Sequence, residues 1–107
     1  MADRQIVMVG FLQAQNCSNY PASWRHSESA GDFMSPAYYA RIARALEDGK
    51  FHLGFFDDRL AMPDIYGADH AESVRNGVRV VKMDPVPILA TMAMGTKCLG
   101  LAATCST

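Results

Sequence analysis

The chain has 107 residues, half of them apolar, and ten Lys/Arg against eleven Asp/Glu leave a formal net charge of −1. That balance removes the electrostatic basis for nucleic acid or an anionic membrane as partner. No run approaches the roughly 20 apolar residues that a bilayer crossing needs, and the length suits one small domain with a modest core.

Cys17, Cys98 and Cys105 are odd in number and widely spaced, with no CxxC and no His-spaced partner. Neither a disulfide framework nor a zinc site is indicated, and a reducing compartment is expected. Met1 to Gln13 carries Asp3 beside Arg4, a short apolar run and no small-residue cleavage site, so it does not read as a signal peptide. The expected location is the cytoplasm.

Ile6–Leu12 (IVMVGFL) is a nearly continuous apolar run, the pattern of a strand buried on both faces of a parallel sheet. Gln13 to Asp32 follows without periodicity, long for a mere connection. Ser35-Pro36 then opens a helix: the serine can cap, the proline suits the first helical position and Gly49 can close the far end. Between them Tyr39, Ile42, Ala43 and Leu46 form one apolar stripe. Phe51–Phe56 is the second strand, ended by Asp57-Asp58. Arg59 to Met83 is again long and irregular, with Val78–Val81 as a minor extended piece. Asp84-Pro85 repeats the cap-plus-proline signal, and Ile88, Leu89, Met92 and Gly95 mark one face of a second helix. Leu99–Cys105 is the third strand.

Strand, helix, strand, helix, strand implies an α/β fold with parallel strands joined by right-handed crossovers. Three apolar strands with exposed edges make a poor independent unit. A (β/α)₈ TIM barrel needs about 250 residues. The pattern is therefore expected to be the β-α-β-α-β N-terminal portion of such a barrel, truncated at Thr107.

Ligands of parallel α/β folds gather at the carboxyl ends of the strands. Gln13 with the loop to Trp24, then Asp57-Asp58, then Thr104 with Ser106 and Thr107 lie there. The alternative is that an aspartate caps the next turn and the hydroxyls satisfy backbone groups. Trp24-Arg25-His26 suits an aromatic or anionic ligand, or an anchored tryptophan with solvated neighbours. Asp64, Asp69 and His70 match no metal-ligand spacing. Met92 and Met94 read as helix packing and Cys105 as small core filler. No GxGxxG follows the first strand and no GxxxxGK[ST] occurs, which argues against Rossmann and P-loop domains.

The ordered succession Trp24–His26 (WRH), Asp32–Phe51 (DFMSPAYYARIARALEDGKF), Phe55–Ala61 (FFDDRLA), Asp64–Gly67 (DIYG) and Val78–Thr107 (VRVVKMDPVPILATMAMGTKCLGLAATCST) resembles the bacterial-luciferase superfamily. The resemblance is to the branch of flavin-dependent monooxygenases that holds nitrilotriacetate monooxygenase, pristinamycin synthase and dibenzothiophene-sulfone monooxygenase. It implies that residues 1–107 are the N-terminal part of a luciferase-like monooxygenase domain. The implied enzyme uses reduced FMN from a separate NAD(P)H:FMN reductase, together with dioxygen, to oxygenate a small organic substrate, and is homo-oligomeric at full length. An organosulfur compound such as dibenzothiophene sulfone is the first substrate implied; nitrilotriacetate- or alkanesulfonate-type compounds are the alternatives, as is an inactive partial chain. Carried over by position, Asp58 and Thr104 match flavin-binding residues, with Ser106 and Thr107 as neighbours. Phe11 and Phe55 match aromatic residues lining the flavin and substrate pocket. Two positions depart from the pattern: Arg59 stands where related enzymes commonly carry a small residue, and Asp57 where they are often apolar or proline.

Overall fold

The computed structural model describes residues 3–16, 20, 22–29 and 31–106. Three parallel strands, β1 (Val9–Gln13), β2 (Leu53–Asp57) and β3 (Gly100–Ala103), stand in the order β1-β2-β3. Helix α1 (Pro36–Asp48) connects the first two; a short α2 (Ala71–Arg75) and α3 (Pro85–Met94) lie between the second and third. The alternation expected from the sequence is present, and α2 is an addition to it. Its five residues are too few for a periodic stripe to register.

Both long helices begin as their sequences dictate. The Ser35 hydroxyl accepts a hydrogen bond from the Tyr38 N–H at 3.2 Å, with Pro36 in the first turn, and Gly49 follows the last helical residue. At α3 the Asp84 carboxylate accepts from the Val86 N–H at 2.9 Å, with Pro85 next. Each cap satisfies one of the amides left over at a helix start.

The strands are shifted from their apolar runs. Ile6, Val7 and Met8 are exposed and precede β1, and β2 begins two residues later than Phe51. Pairing decides these limits, because only residues with a ladder partner become strand, whatever their hydropathy. Val78–Val81 forms no strand; beside it, Lys82 makes an isolated antiparallel bridge to Gln15.

One face of the sheet is packed and the other is open. Phe56 and Met92 are fully buried with Tyr39, Ala43 and Ile88, where α1 and α3 cover the sheet and each other. Two packing expectations fail. Met94 is 92% exposed, since it lies two residues from Met92 and so on the far side of α3. Cys105 is exposed rather than core, because it follows the end of β3; Cys98 is exposed too, and Cys17 lies outside the described residues. Gly100 is required by close approach: a Cβ there would stand 2.9 Å from the His52 carbonyl oxygen.

Candidate functional site

Alternation along the strands sets one row of side chains on the face away from the helices. In register these are Val9 with Leu53 and Gly100, then Phe11 with Phe55 and Ala102, then Gln13 with Asp57. The Phe11 and Phe55 rings lie 6.0 Å apart, tilted by 36°. Phe11 is 56% exposed, and its neighbours across the sheet end in the small Ala102. The result is an uncovered aromatic layer.

A polar layer follows at the carboxyl ends. The Gln13 amide donates to Asp57 Oδ2 at 3.1 Å, and Gln15 Nε2 donates to Gln13 Oε1 at 2.9 Å. Arg59 approaches the same Asp57 oxygen at 3.9 Å. Asp57 is thus the carboxylate that shares the aromatic face, by its parity with Phe55. Sequence reasoning set it at the rim but gave the cofactor role to its neighbour.

Asp58 and Thr104 are brought together. The Thr104 N–H donates to the Phe56 carbonyl at 3.1 Å, carrying the β2–β3 ladder one step further. Its Oγ1 accepts from the Asp58 N–H at 2.8 Å. Asp58 Oδ2 accepts from the Ser106 N–H at 2.9 Å, and the Ser106 hydroxyl donates to the Asp58 carbonyl at 2.5 Å. The carboxylate and the hydroxyl therefore do satisfy backbone amides, one of the two readings open from sequence. Each also keeps spare capacity among the described residues: Thr104 its hydroxyl hydrogen, Asp58 its second oxygen. Thr107 lies outside the described residues.

Lys82 had no sequence signal and proves central to this rim. Its ammonium donates to the carbonyl oxygens of Arg59, at 2.6 Å, and of Ala61. The segment around it also joins the end of β1, through Asn16 N–H to the Val81 carbonyl (3.1 Å) and Met83 N–H to the Ala14 carbonyl (2.8 Å). Residues 81–83 form a strap across the tops of β1 and β2. Partial burial lowers the Lys82 pKa, and nearby Arg59 adds to the effect.

A cavity of about 790 Å³ opens between β1, the following loop and α1, lined by Phe11, Trp24, Phe33, Tyr38, Tyr39 and Ile42 among others. Trp24 is the middle residue of a single 3-10 turn, Ser23–Arg25, and its ring lies so close to Gly77 that a Cβ there would stand 3.1 Å from it. The Arg25 guanidinium lies 4.8 Å from the Trp24 ring centre, and His26 Nδ1 accepts from the Glu28 N–H. Tyr39 is 3% exposed and its hydroxyl has no hydrogen-bond partner among the described residues. Burial, with a smaller contribution from Tyr38, pushes its pKa to about 12.

Elsewhere Asp69 caps the Ala71 N–H at 2.9 Å and His70 Nδ1 lies 3.2 Å from the Pro63 carbonyl. Among the described residues no three His, Cys, Asp or Glu group as a metal cluster. No helix there is long and apolar enough to cross a membrane.

At the opposite end of the sheet, Glu47 was also missed. Its Oε1 accepts from the N–H groups of Lys97 (2.8 Å), Cys98 (2.6 Å) and Leu99 (3.1 Å), just before β3. These bonds, that from Cys98 foremost, hold its pKa below the ordinary 4.5.

The molecule is thus a parallel α/β segment whose polar groups collect at the carboxyl ends of its strands, above an aromatic layer. By sequence and by structure it is homologous to luciferase-like flavin-dependent monooxygenases. It is 43% identical over 104 residues to dibenzothiophene-sulfone monooxygenase of Rhodococcus erythropolis, covering 96% of this chain and 23% of that protein. It superposes on the crystal structure of a long-chain alkane monooxygenase with a TM-score of 0.85 and 27% identity, over 94% of this chain and 24% of that one. For a riboflavin lyase solved with modified FMN and its substrate riboflavin, the TM-score is 0.83 at 27% identity, over 96% and 23% of the two chains. No protein-family model matches. The chain spans about a quarter of the length of these relatives.

Proposed function

We propose that residues 1–107 are the N-terminal part of a (β/α)₈ monooxygenase domain and supply part of its flavin and substrate site. The whole enzyme would oxygenate an organosulfur compound with dioxygen and reduced FMN delivered by a separate reductase. The observation that carries this reading is the exposed Phe11–Phe55 pair on one face of the sheet together with the Asp58–Thr104 junction at the carboxyl ends of β2 and β3, in a chain homologous to flavin-dependent monooxygenases.

The residues fit an isoalloxazine, a flat ring system with hydrogen-bonding edge atoms. Such a ring needs apolar surface for its body and a few placed polar groups for its edge. Phe11 and Phe55 offer the first; the Thr104 hydroxyl hydrogen and the free Asp58 oxygen offer a donor and an acceptor. When bound, FMN would supply the activation of dioxygen. The protein's part is to bind, orient and exclude water. Thr104 would donate to a flavin carbonyl, Asp58 would accept from a ring N–H, and the two phenylalanines would keep water from the ring and the substrate.

The test is turnover by the complete reading frame with FMN, a flavin reductase and NADH in air. Oxygenation of dibenzothiophene sulfone that stops without FMN is the expected result. Failure to oxygenate any sulfone, sulfonate or aminopolycarboxylate would refute the reading.

A further inference from the structure

The open face of the sheet carries a cation that is loosely ion-paired and makes no side-chain hydrogen bond among the described residues. Arg59 lies two residues beyond Asp57, the last residue of β2, and its guanidinium turns back toward that carboxylate, which shares the face of Phe55. Its guanidinium lies 3.9 Å from Asp57 Oδ2, beyond hydrogen-bond reach. Among the described residues it meets no hydrogen-bond acceptor, and the side chain is 52% exposed, against 22% for Asp57. The Asp57 oxygen that it approaches already accepts from Gln13 at 3.1 Å.

The root of Arg59 is held while its head is not. Lys82 donates to the Arg59 carbonyl at 2.6 Å and to that of Ala61, so the main chain is fixed on either side of Leu60. Fixing the main chain removes the loop's share of the ordering cost when the guanidinium meets a ligand; the side chain itself is still to be ordered. Two residues of strand, roughly 7 Å, separate Phe55 from Asp57, which sets the cation one pleat above the aromatic floor. A flat apolar surface with a planar fork of donors beside it complements one kind of molecule: an aryl ring bearing a sulfonate, sulfinate or carboxylate.

We infer that Arg59 is a specificity-determining residue, selecting aryl substrates that carry an anionic oxygen group over their neutral counterparts. The inference rests on the reading above in which the Phe11–Phe55 face receives the substrate, and adds to it a ranking among organosulfur compounds: anionic ones bind more tightly, with neutral sulfones still accepted. Asp57 keeps the guanidinium over the site when no substrate is there, and gives it up to a better-placed oxyanion.

The experiment is equilibrium binding to the complete protein, with naphthalene-2-sulfonate and methyl 2-naphthyl sulfone as a charged and a neutral probe of similar shape. The wild type is expected to hold the sulfonate about tenfold more tightly, the equivalent of one charge-assisted contact. Arg59→Gln should abolish that preference while leaving the sulfone within about twofold, and Arg59→Lys should restore part of it. Equal binding of the two probes by the wild type, or an Arg59→Gln loss that is the same for both, overturns the assignment. Phe11→Ala and Phe55→Ala separate the two levels of the claim. If they weaken both probes while Arg59→Gln does not discriminate, Arg59 alone is misassigned. If neither phenylalanine matters to either probe, the substrate face itself is wrong and the inference goes with it.

Discussion

Thr104 Oγ1 accepts the Asp58 N–H at 2.8 Å, which joins the ends of β2 and β3 through a side chain where the ladder has run out. The first amide beyond a parallel strand usually turns to water or to the next loop. Here a β-branched residue takes it up, and the Asp58 carboxylate returns a bond to the Ser106 amide at 2.9 Å. The two residues therefore hold each other in place before any ligand arrives.

Thr104→Val keeps the shape of the side chain and removes that acceptor. The loss of one hydrogen bond at an exposed position should cost about 1 kcal/mol of stability. If Thr104 also donates to the flavin, FMN affinity of the complete protein should fall by about tenfold, as one lost contact implies. Thr104→Ser should recover both. Flavin fluorescence titration alongside a urea melt separates the two effects, and unchanged affinity would remove Thr104 from the flavin site.

Glu47 gives the fold a definite acid limit. Its carboxylate is held by three amides, so its folded pKa lies below 4.5. A depressed carboxylate contributes stability that is fully present above the unfolded value and lost as the pH falls through the folded one. The wild type should lose melting temperature below about pH 4.5, in the window that this shift sets. Glu47→Gln should melt lower than the wild type near neutrality and show a flatter acid branch. Parallel curves for the two proteins would contradict this account.

Tyr39 is the reverse case, a buried hydroxyl with nothing to bond among the described residues. An unpaired buried polar group costs on the order of 1 kcal/mol or more. Tyr39→Phe is therefore expected to raise stability by about 1 kcal/mol in chemical denaturation. With its pKa near 12, Tyr39 should stay protonated in the folded state where an unfolded tyrosine ionises, at about 10. That raised value favours the fold up to about pH 10, and the contribution is lost as the pH rises toward 12. A marked loss of stability in Tyr39→Phe would mean that the hydroxyl has a partner after all.

Gly77 carries a backbone φ of +64°, and a Cβ on it would stand 3.1 Å from the Trp24 ring. Gly77→Ala should cost about 1–2 kcal/mol, from the left-handed backbone together with the crowded ring. Intrinsic fluorescence should report it directly, because Trp24 is the chain's one tryptophan. An alanine variant with the parent's emission and midpoint would show that the ring has room to move.

Much of the architecture was legible in local chemistry. Ser35-Pro36 and Asp84-Pro85 begin helices because a cap and a preset φ act within a few residues of chain. The apolar runs near Phe11, Phe55 and Leu101 become parallel strands where their backbone groups find ladder partners in register, with only the helix-side face packed. What pairs with what was not legible. Only the register decides that Asp57 stands on the aromatic face beside Gln13 while Asp58 turns to Thr104 and Ser106, since the two aspartates are indistinguishable neighbours in a list of residues. Lys82 and Glu47 were invisible for the same reason: a lone charge in an irregular stretch, or at the end of a helix, takes its meaning from carbonyls and amides at least 20 positions away. Local interactions select elements, and the folded distances among remote backbone groups select which side chains can act together.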